Sequence, residues 1–292
     1  MSPQPKLTVV IPALNAAKDI SGQLDALVGQ EWAEPWEVVV ADNGSTDETR
    51  AVVERYRDQL PALRIVDAAG TRGQAHALNA GVAAARAEAV AFCDADDEVA
   101  PGWVAAMGDA LAEHELVACQ ADAVKLNEPW IRETRDAPAP GEFSRVLFPP
   151  HAPFAGSGGL GVRRDAHARV GGFDEAMVAL FDVDFCLRAH AAGVQLVLVP
   201  EALLHYRYRR GWRSTFRQAR VYAEQMALVQ QRHEDRAARP AGRRPWLLRG
   251  WKPILACVAS LHRRGSRAKL AWLLGWQFGR YVGSVRHRVL AN

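Results

Sequence analysis

The residues best placed to do chemistry are the carboxylates of Asp94-Ala95-Asp96-Asp97, which follow directly on the apolar run Ala89-Val90-Ala91-Phe92-Cys93. Such a run reads as a buried parallel strand, and the acidic cluster falls at its C-terminal edge, where open α/β sheets place their ligands. Three carboxylates at one strand end repel one another and are hard to desolvate, so a divalent cation that neutralises them is a natural partner. Asp42 ends a second strand and adds an acidic group at the same edge. One group can grip a ribose or base, the other a metal. Hard carboxylate oxygens suit Mg²⁺ or Mn²⁺, ions that usually share coordination with substrate phosphates, which points to a nucleoside diphosphate. The bland alternatives are a solvated cap cluster ahead of Pro101 for Asp94 and Asp96, with Asp97 capping the next helix, and an Asx turn with Gly44 for Asp42.

The elements that must position these groups alternate regularly. Strand runs at Leu7–Ile11, Glu37–Ala41, Arg64–Asp67 and Ala89–Cys93 are separated by helical patterns at Lys18–Gly29, Thr46–Gln59 and Gly73–Arg86. That is a βαβαβαβ order with near-continuous apolar strands, as expected of a parallel sheet covered on both faces. Ser45 or Thr46 is expected to cap the second helix, with Asn43-Gly44 as the turn before it. Pro101 opens a helix to about Ala112, and Leu116–Leu126 reads as a further strand. Six prolines between residues 128 and 153 predict a long irregular loop of the kind that serves as a lid or binding loop. A Gly-rich stretch at Gly156–Gly161, a helix around Asp182–Ala192 and a closing strand, Gln195–Val199, lead to His205. His205 is a third candidate for the metal or diphosphate, against a role as a satisfied surface histidine. Gly158 and Gly159 either admit an acceptor closely or serve a tight turn. Trp103 reads as packing at a helix start rather than sugar stacking.

Composition narrows the classes. The chain has 292 residues with 49% hydrophobic and 24% charged content, enough for a large domain plus an appendage. Its four cysteines have neither metal-ligand spacing nor disulfide density, which fits a reducing compartment. Neither a secretory signal nor a run of about 20 apolar residues is evident, so a cytosolic protein is expected. No Gly-rich turn follows the first strand, where Pro12-Ala13-Leu14-Asn15 stands, and no Walker-type Gly-Lys-Ser/Thr occurs, which disfavours hydride transfer and P-loop phosphoryl transfer. Charge is divided sharply: residues 201–292 carry +16 and residues 1–200 carry −13, for a net +3. From Trp212 onward the pattern is helical, with Leu247, Leu248, Trp251, Ile254, Leu255, Val258 and Leu261 at three-and-four spacing and basic residues between. That region could lie at an anionic membrane surface on the inner face of the cell membrane, or pack on the rest of the chain or a second copy; with no recognised module, nucleic acid is not expected.

Six stretches in order resemble family 2 glycosyltransferases of the GT-A fold: Val9–Asn15, Val40–Asp47, Arg72-Gly73 with Asn79-Ala80-Gly81, Asp94-Ala95-Asp96, Gly171-Gly172-Phe173-Asp174, and Asp182-Val183-Asp184 with Arg188. The resemblance covers about residues 6–207. It implies a Rossmann-like, mostly parallel sheet with helices on both faces in a catalytic domain over 1–207. Residues 1–97 would form the nucleotide-sugar half and 98–207 the acceptor half, followed by a helical region over 208–292. It also implies a UDP, dTDP or GDP sugar donor, with Pro12, Ala13 and Asn15 near the nucleotide and Asp42 toward the base. Arg72 and Asn79 would stand beside the donor, Asp94, Ala95 and Asp96 at the metal–diphosphate, and Gly158, Gly159 and Asp184 on the acceptor side. Asp182 matches the general base of an inverting single displacement onto a small glycoside or lipid-linked acceptor. Two departures bear on this. Phe181 stands where the family often has a carboxylate, which leaves Asp184 as an alternative base and motivates a second reading, a binding protein of the same fold without catalysis. No Gln-x-x-Arg-Trp motif appears after residue 200, which favours transfer of a single sugar over polymerisation.

Overall fold

The computed structural model describes residues 4–135, 138–235 and 250–290, and the chain forms two compact units. The first comprises Met1–Lys125, Pro140–Phe143 and Phe154–Tyr206; the second comprises Leu126–Ala139, Ser144–Pro153 and Arg207–Asn292.

The first unit is built on an eight-stranded sheet. In chain order its elements are β1 (Leu7–Ala13), α1 (Ile20–Val28), β2 (Trp36–Asp42), α2 (Thr49–Glu54), β3 (Arg64–Asp67), α3 (Gln74–Ala84), β4 (Ala89–Phe92), β5 (Glu98–Val99), α4 (Trp103–Glu113) and β6 (Leu116–Asp122). After α5 (Pro129–Arg132) and β7 (Ser144–Arg145) in the other unit come β8 (Pro153–Phe154), β9 (Leu160–Arg163), α6 (Arg164–Val170), α7 (Phe181–Ala191) and β10 (Leu196–His205). The strand order is β3-β2-β1-β4-β9-β6-β10-β5. β3, β2, β1 and β4 are parallel, β10 runs parallel to β6, and β9 is antiparallel to both of its neighbours. The chain therefore reverses between β1 and β4, and the C-terminal ends of these strands open a crevice, the usual ligand position in such sheets.

Burial follows from the apolar runs. Leu7, Val9, Ile11, Val38, Val40, Ala91 and Cys93 pack on one face against Leu24 and Leu27 of α1 and Trp103, Met107 and Leu111 of α4. Val10 points to the other face, against Gly81 of α3. Glu37 is fully buried at the opposite end of the sheet and is satisfied there. It accepts from Thr8 Oγ1, Arg64 Nη2 and the Arg86 amide, as a buried carboxylate requires.

Four expectations are corrected. The second helix starts at Thr49 rather than Ser45 or Thr46, because Asp47 takes the turn: its Oδ1 accepts from the Thr49 amide and hydroxyl, while Ser45 and Thr46 bond to Asn15. Asp97 does not cap α4, whose N-cap is Gly102. Gly156–Gly161 is a 3₁₀ turn (Ser157–Gly159) leading into β9, which inserts antiparallel in the middle of the sheet. β10 continues to His205, with a register shift between Val199 and Leu203 around Pro200.

The second unit is mainly helical, with α8 (Trp212–His233), α9 (Trp251–Ala259) and α10 (Arg264–Arg286). The proline-rich stretch contributes α5 and β7, so it is not wholly irregular. α8 and α10 run side by side in the same direction. Gly275, Gly279 and Gly283 recur every fourth residue against the α8 backbone, where a Cβ at Gly279 would lie 2.1 Å from the Arg220 carbonyl oxygen. Arg135 is stacked between Tyr208 and Trp272, its guanidinium carbon 4.5 and 4.1 Å from the two ring centroids. In α9, Ile254 is buried while Leu255, Val258 and Leu261 are exposed, so the apolar periodicity divides between two faces; Leu247 and Leu248 lie outside the described residues. No helix among the described residues is long and apolar enough to cross a membrane.

Candidate active site

The carboxylates at the end of β4 converge. One oxygen from each of Asp94, Asp96 and Asp97 lies within 4.8 Å of the others. Burial is graded across the three: Asp97 is buried, Asp94 half-buried and Asp96 exposed. Gln74, the first residue of α3, donates to Asp94 Oδ1 at 2.8 Å. Burial, followed by the charges of Asp96 and Asp182, pushes the Asp94 carboxyl up to about 7 against the lowering effect of Gln74. An all-oxygen set of crowded, partly desolvated carboxylates fits Mg²⁺ or Mn²⁺, whose charge removes that repulsion.

Asp182 enters the same region from the first turn of α7. Leu180 ahead of it has φ +57°, a left-handed turn that costs on the order of 1 kcal/mol for a residue with a side chain and fixes how the helix begins. Asp182 Oδ2 accepts from the Ser157 amide at 2.9 Å and Oδ1 from the Val183 amide at 2.9 Å. Burial raises its pKa while those amides oppose the rise. The 3₁₀ turn joins the two acidic groups, since Ser157 holds Asp182 and a Cβ at Gly158 would stand 2.9 Å from Asp94 Oδ2. Gly159 lacks room for another reason: its Cβ would meet Cys119 Sγ at 2.8 Å.

Asp184, one turn-face away, is buried and receives Arg188 Nε at 2.8 Å. Arg188 also donates to the Val170 and Gly172 carbonyls, so this pair ties α7 to the Gly171-Gly172 turn. Phe181 is buried edge-on against Phe173, which explains an aromatic side chain where a carboxylate might stand. Asn79 binds the same segment from α3: Nδ2 donates to the Phe173 carbonyl and Glu175 Oε1, and Oδ1 accepts from the Phe173 amide.

On the nucleotide side, Pro12 and Ala13 end β1, paired in register with Ala41 and Asp42 of β2. Asp42 is buried, accepts from the Ser45 amide at 3.0 Å and pairs with Arg50 at 3.2 Å, so the Asx turn exists alongside any ligand role. Asn15, at φ +51°, exchanges hydrogen bonds with Ser45 and Thr46. Ala95 is buried and Arg72 exposed. His205 is held by Asp122 at 3.2 Å in the register row of Glu98 and is not one of the three residues of the carboxylate group. The residues that sequence reasoning missed are those that brace the others. Asn43 donates to the Ala68 and Thr71 carbonyls and accepts from the Gly73 amide, fixing the loop that carries Arg72. Gln74 was signalled only by its place after Arg72-Gly73, and the Ser157 amide, a backbone group, leaves no mark in side-chain identity.

The profile of the family described as glycosyl transferase family 2 matches residues 8–171. The chain belongs to this family. It is 31% identical over 233 residues to validoxylamine A glucosyltransferase of Streptomyces hygroscopicus subsp. jinggangensis, covering 68% of this chain and 54% of that protein. It is 29% identical over 247 residues to the pre-mycofactocin glycosyltransferase of Mycobacterium tuberculosis, covering 80% and 49%. The chain thus spans about half the length of these curated relatives. Among solved structures, the mannosyltransferase PcManGT of Pyrobaculum calidifontis, in complex with GDP-Man and Mn²⁺, aligns with TM-score 0.64 and 20% identity over 97% of this chain and 88% of that one. The fold of this family member is accordingly GT-A.

Proposed function

We propose that this chain is an inverting, metal-assisted glycosyltransferase that moves one sugar from a nucleoside-diphosphate-sugar to an acceptor hydroxyl. The observation that carries the reading is the joining of Asp94, Asp96 and Asp97 to Asp182 through the Ser157–Gly159 turn. The neighbour solved with GDP-Man and Mn²⁺ and the relatives named as glycosyltransferases support it.

In this reading Pro12, Ala13, Asn15 and Asp42 hold the nucleoside, and Arg72 and Asn79 flank the donor. Asp94 and Asp96, with Ala95 between them, would hold Mg²⁺ or Mn²⁺ at the diphosphate, where the ion supplies charge compensation for the leaving group. Asp182 is the base: a raised pKa makes its carboxylate a better proton acceptor, and its amide contacts hold the oxygens in place. The acceptor oxygen bonds to the anomeric carbon as the bond to the diphosphate oxygen breaks, and the acceptor proton passes to Asp182. Asp184 is committed to Arg188 and serves as a positioning residue. The acceptor is a small glycoside or a lipid-linked saccharide.

Thermal unfolding with UDP-, GDP- and dTDP-sugars, each with Mn²⁺, Mg²⁺ or a chelator, tests the assignment. One donor series should raise Tm by mass action only with metal present. No shift with any nucleotide, or an equal shift in chelator, would remove the donor assignment.

A further inference from the structure

The C-terminal helices carry a surface that the donor chemistry does not use. In α9, Ile254 and Cys257 are buried, whereas Trp251, Leu255 and Val258, at i, i+4 and i+7, share an outer face and are 39%, 65% and 49% exposed. Leu261 extends the patch beyond the helix. A helix on a soluble unit ordinarily turns its apolar stripe inward, and an outward stripe marks an interaction surface.

The charge that α9 and α10 themselves carry beside this stripe is basic, and the Glu133 carboxylate packs against Gly265 in the first turn of α10. Residues 250–290 contain eight Lys and Arg and no Asp or Glu. Lys252, Arg263, Arg264 and Arg267 are exposed, and none is ion-paired with a carboxylate among the described residues. Arg263 is the N-cap of α10, Arg264 its first residue, and Arg267 lies in its first turn, donating to the Leu261 carbonyl. Cations here oppose the helix dipole, which favours anions at an N-terminus. Glu133 gives that helix start one acidic neighbour, and the exposed Lys252, Arg263, Arg264 and Arg267 leave a basic edge beside the apolar stripe that is complementary to an anionic surface.

We propose that α9 and the first turn of α10 form a docking face for an anionic lipid bilayer. Headgroups take the arginines and Lys252, while Trp251, Leu255, Val258 and Leu261 enter the boundary beneath them. A second copy offering the same face would oppose like charges, which disfavours it as the occupant. The inference goes beyond the donor reading and does not depend on it.

Flotation of the full chain with phosphatidylcholine vesicles, alone or with about one-third phosphatidylglycerol, tests it. The chain should float with the anionic vesicles only, and less so at high salt. A Leu255→Asp/Val258→Asp variant, altered only at exposed positions, should keep its Tm and lose about tenfold or more in vesicle affinity. An Arg263→Glu/Arg264→Glu variant should lose binding most strongly at low salt. Absence of flotation, or undiminished flotation of the Leu255→Asp/Val258→Asp variant, overturns the proposal, the latter reducing the effect to unspecific charge attraction. A vesicle-independent dimer that this variant dissolves overturns it in favour of a second copy. Because no nucleotide enters the assay, its failure leaves the donor assignment standing.

Discussion

At the end of β4 and at the start of α7 the chain places acidic residues in neighbouring positions and treats them oppositely. Asp94 accepts from Gln74, yet burial and the charges of Asp96 and Asp182 hold it well above the ordinary carboxylate range. Asp184, on α7, is buried and paired with Arg188. Asp182 stands between these cases, raised by burial yet bound by two backbone amides that carry no charge. Asp184 is given a cation by the chain, whereas Asp182 is given backbone dipoles and Asp94 the Gln74 amide. The difference separates residues that two motifs of similar composition would not distinguish.

The comparison breaks most visibly under substitution of the proposed base. Asp182→Asn should lower kcat by about 10³-fold while donor affinity changes little, because the amide side chain keeps the shape but cannot take the proton. Asp94→Asn should instead weaken donor binding measured calorimetrically with Mn²⁺. If Asp182→Asn lost donor affinity and kept kcat, the roles of the two clusters would be exchanged. Asp184→Asn should leave the chemistry in place and cost about 3 kcal/mol of stability by urea unfolding, since it leaves the partly buried Arg188 charge with only the Val170 and Gly172 carbonyls as charge-free acceptors.

His167 sharpens the contrast from beneath α7. It is buried against Phe173 and Phe185, and burial, aided by the Arg188 charge, holds its pKa near 4 against an ordinary 6.5. The folded form therefore refuses a proton that the unfolded chain accepts, so stability falls as pH drops below about 6.5, by up to about 3 kcal/mol. Unfolding midpoints from pH 7.5 to 4.5 should show this fall, and His167→Phe should flatten it. An unchanged slope in the variant would place the acid sensitivity elsewhere.

What could be read beforehand follows the range of the interactions. β1 to β4 and their helices were visible because their apolar runs are local in sequence, and Asp94 and Asp96 because strand ends are where such sheets hold ligands. β9 was hidden in Gly156–Gly161, since its strand character comes from insertion between β4 and β6 and not from its own residues. The family resemblance favours Asp182 over Asp184, whereas the contacts that set the two apart, Arg188 on one and the Ser157 amide 25 residues away on the other, were not legible beforehand. The outward turn of Leu255 and Val258 could not be read from a three-and-four pattern, which sets a common stripe without stating which side faces the interior.

The smallest expected effect tests the joint between the two clusters. Gly158 has ordinary backbone angles available to any residue, so its requirement is for space: a methyl there would meet Asp94 Oδ2 at 2.9 Å and the carboxyl carbon at 3.0 Å. Gly158→Ala must therefore push the Asp94 carboxylate away from Gln74 or lift the 3₁₀ turn. A displaced carboxylate would weaken metal-dependent donor binding about tenfold with kcat at saturating donor little changed. A lifted turn would carry the Ser157 amide off Asp182 and lower kcat instead. Measuring donor Kd and kcat on this one variant thus says which cluster the turn serves more strictly, and a wild-type value for both would show that the two act independently.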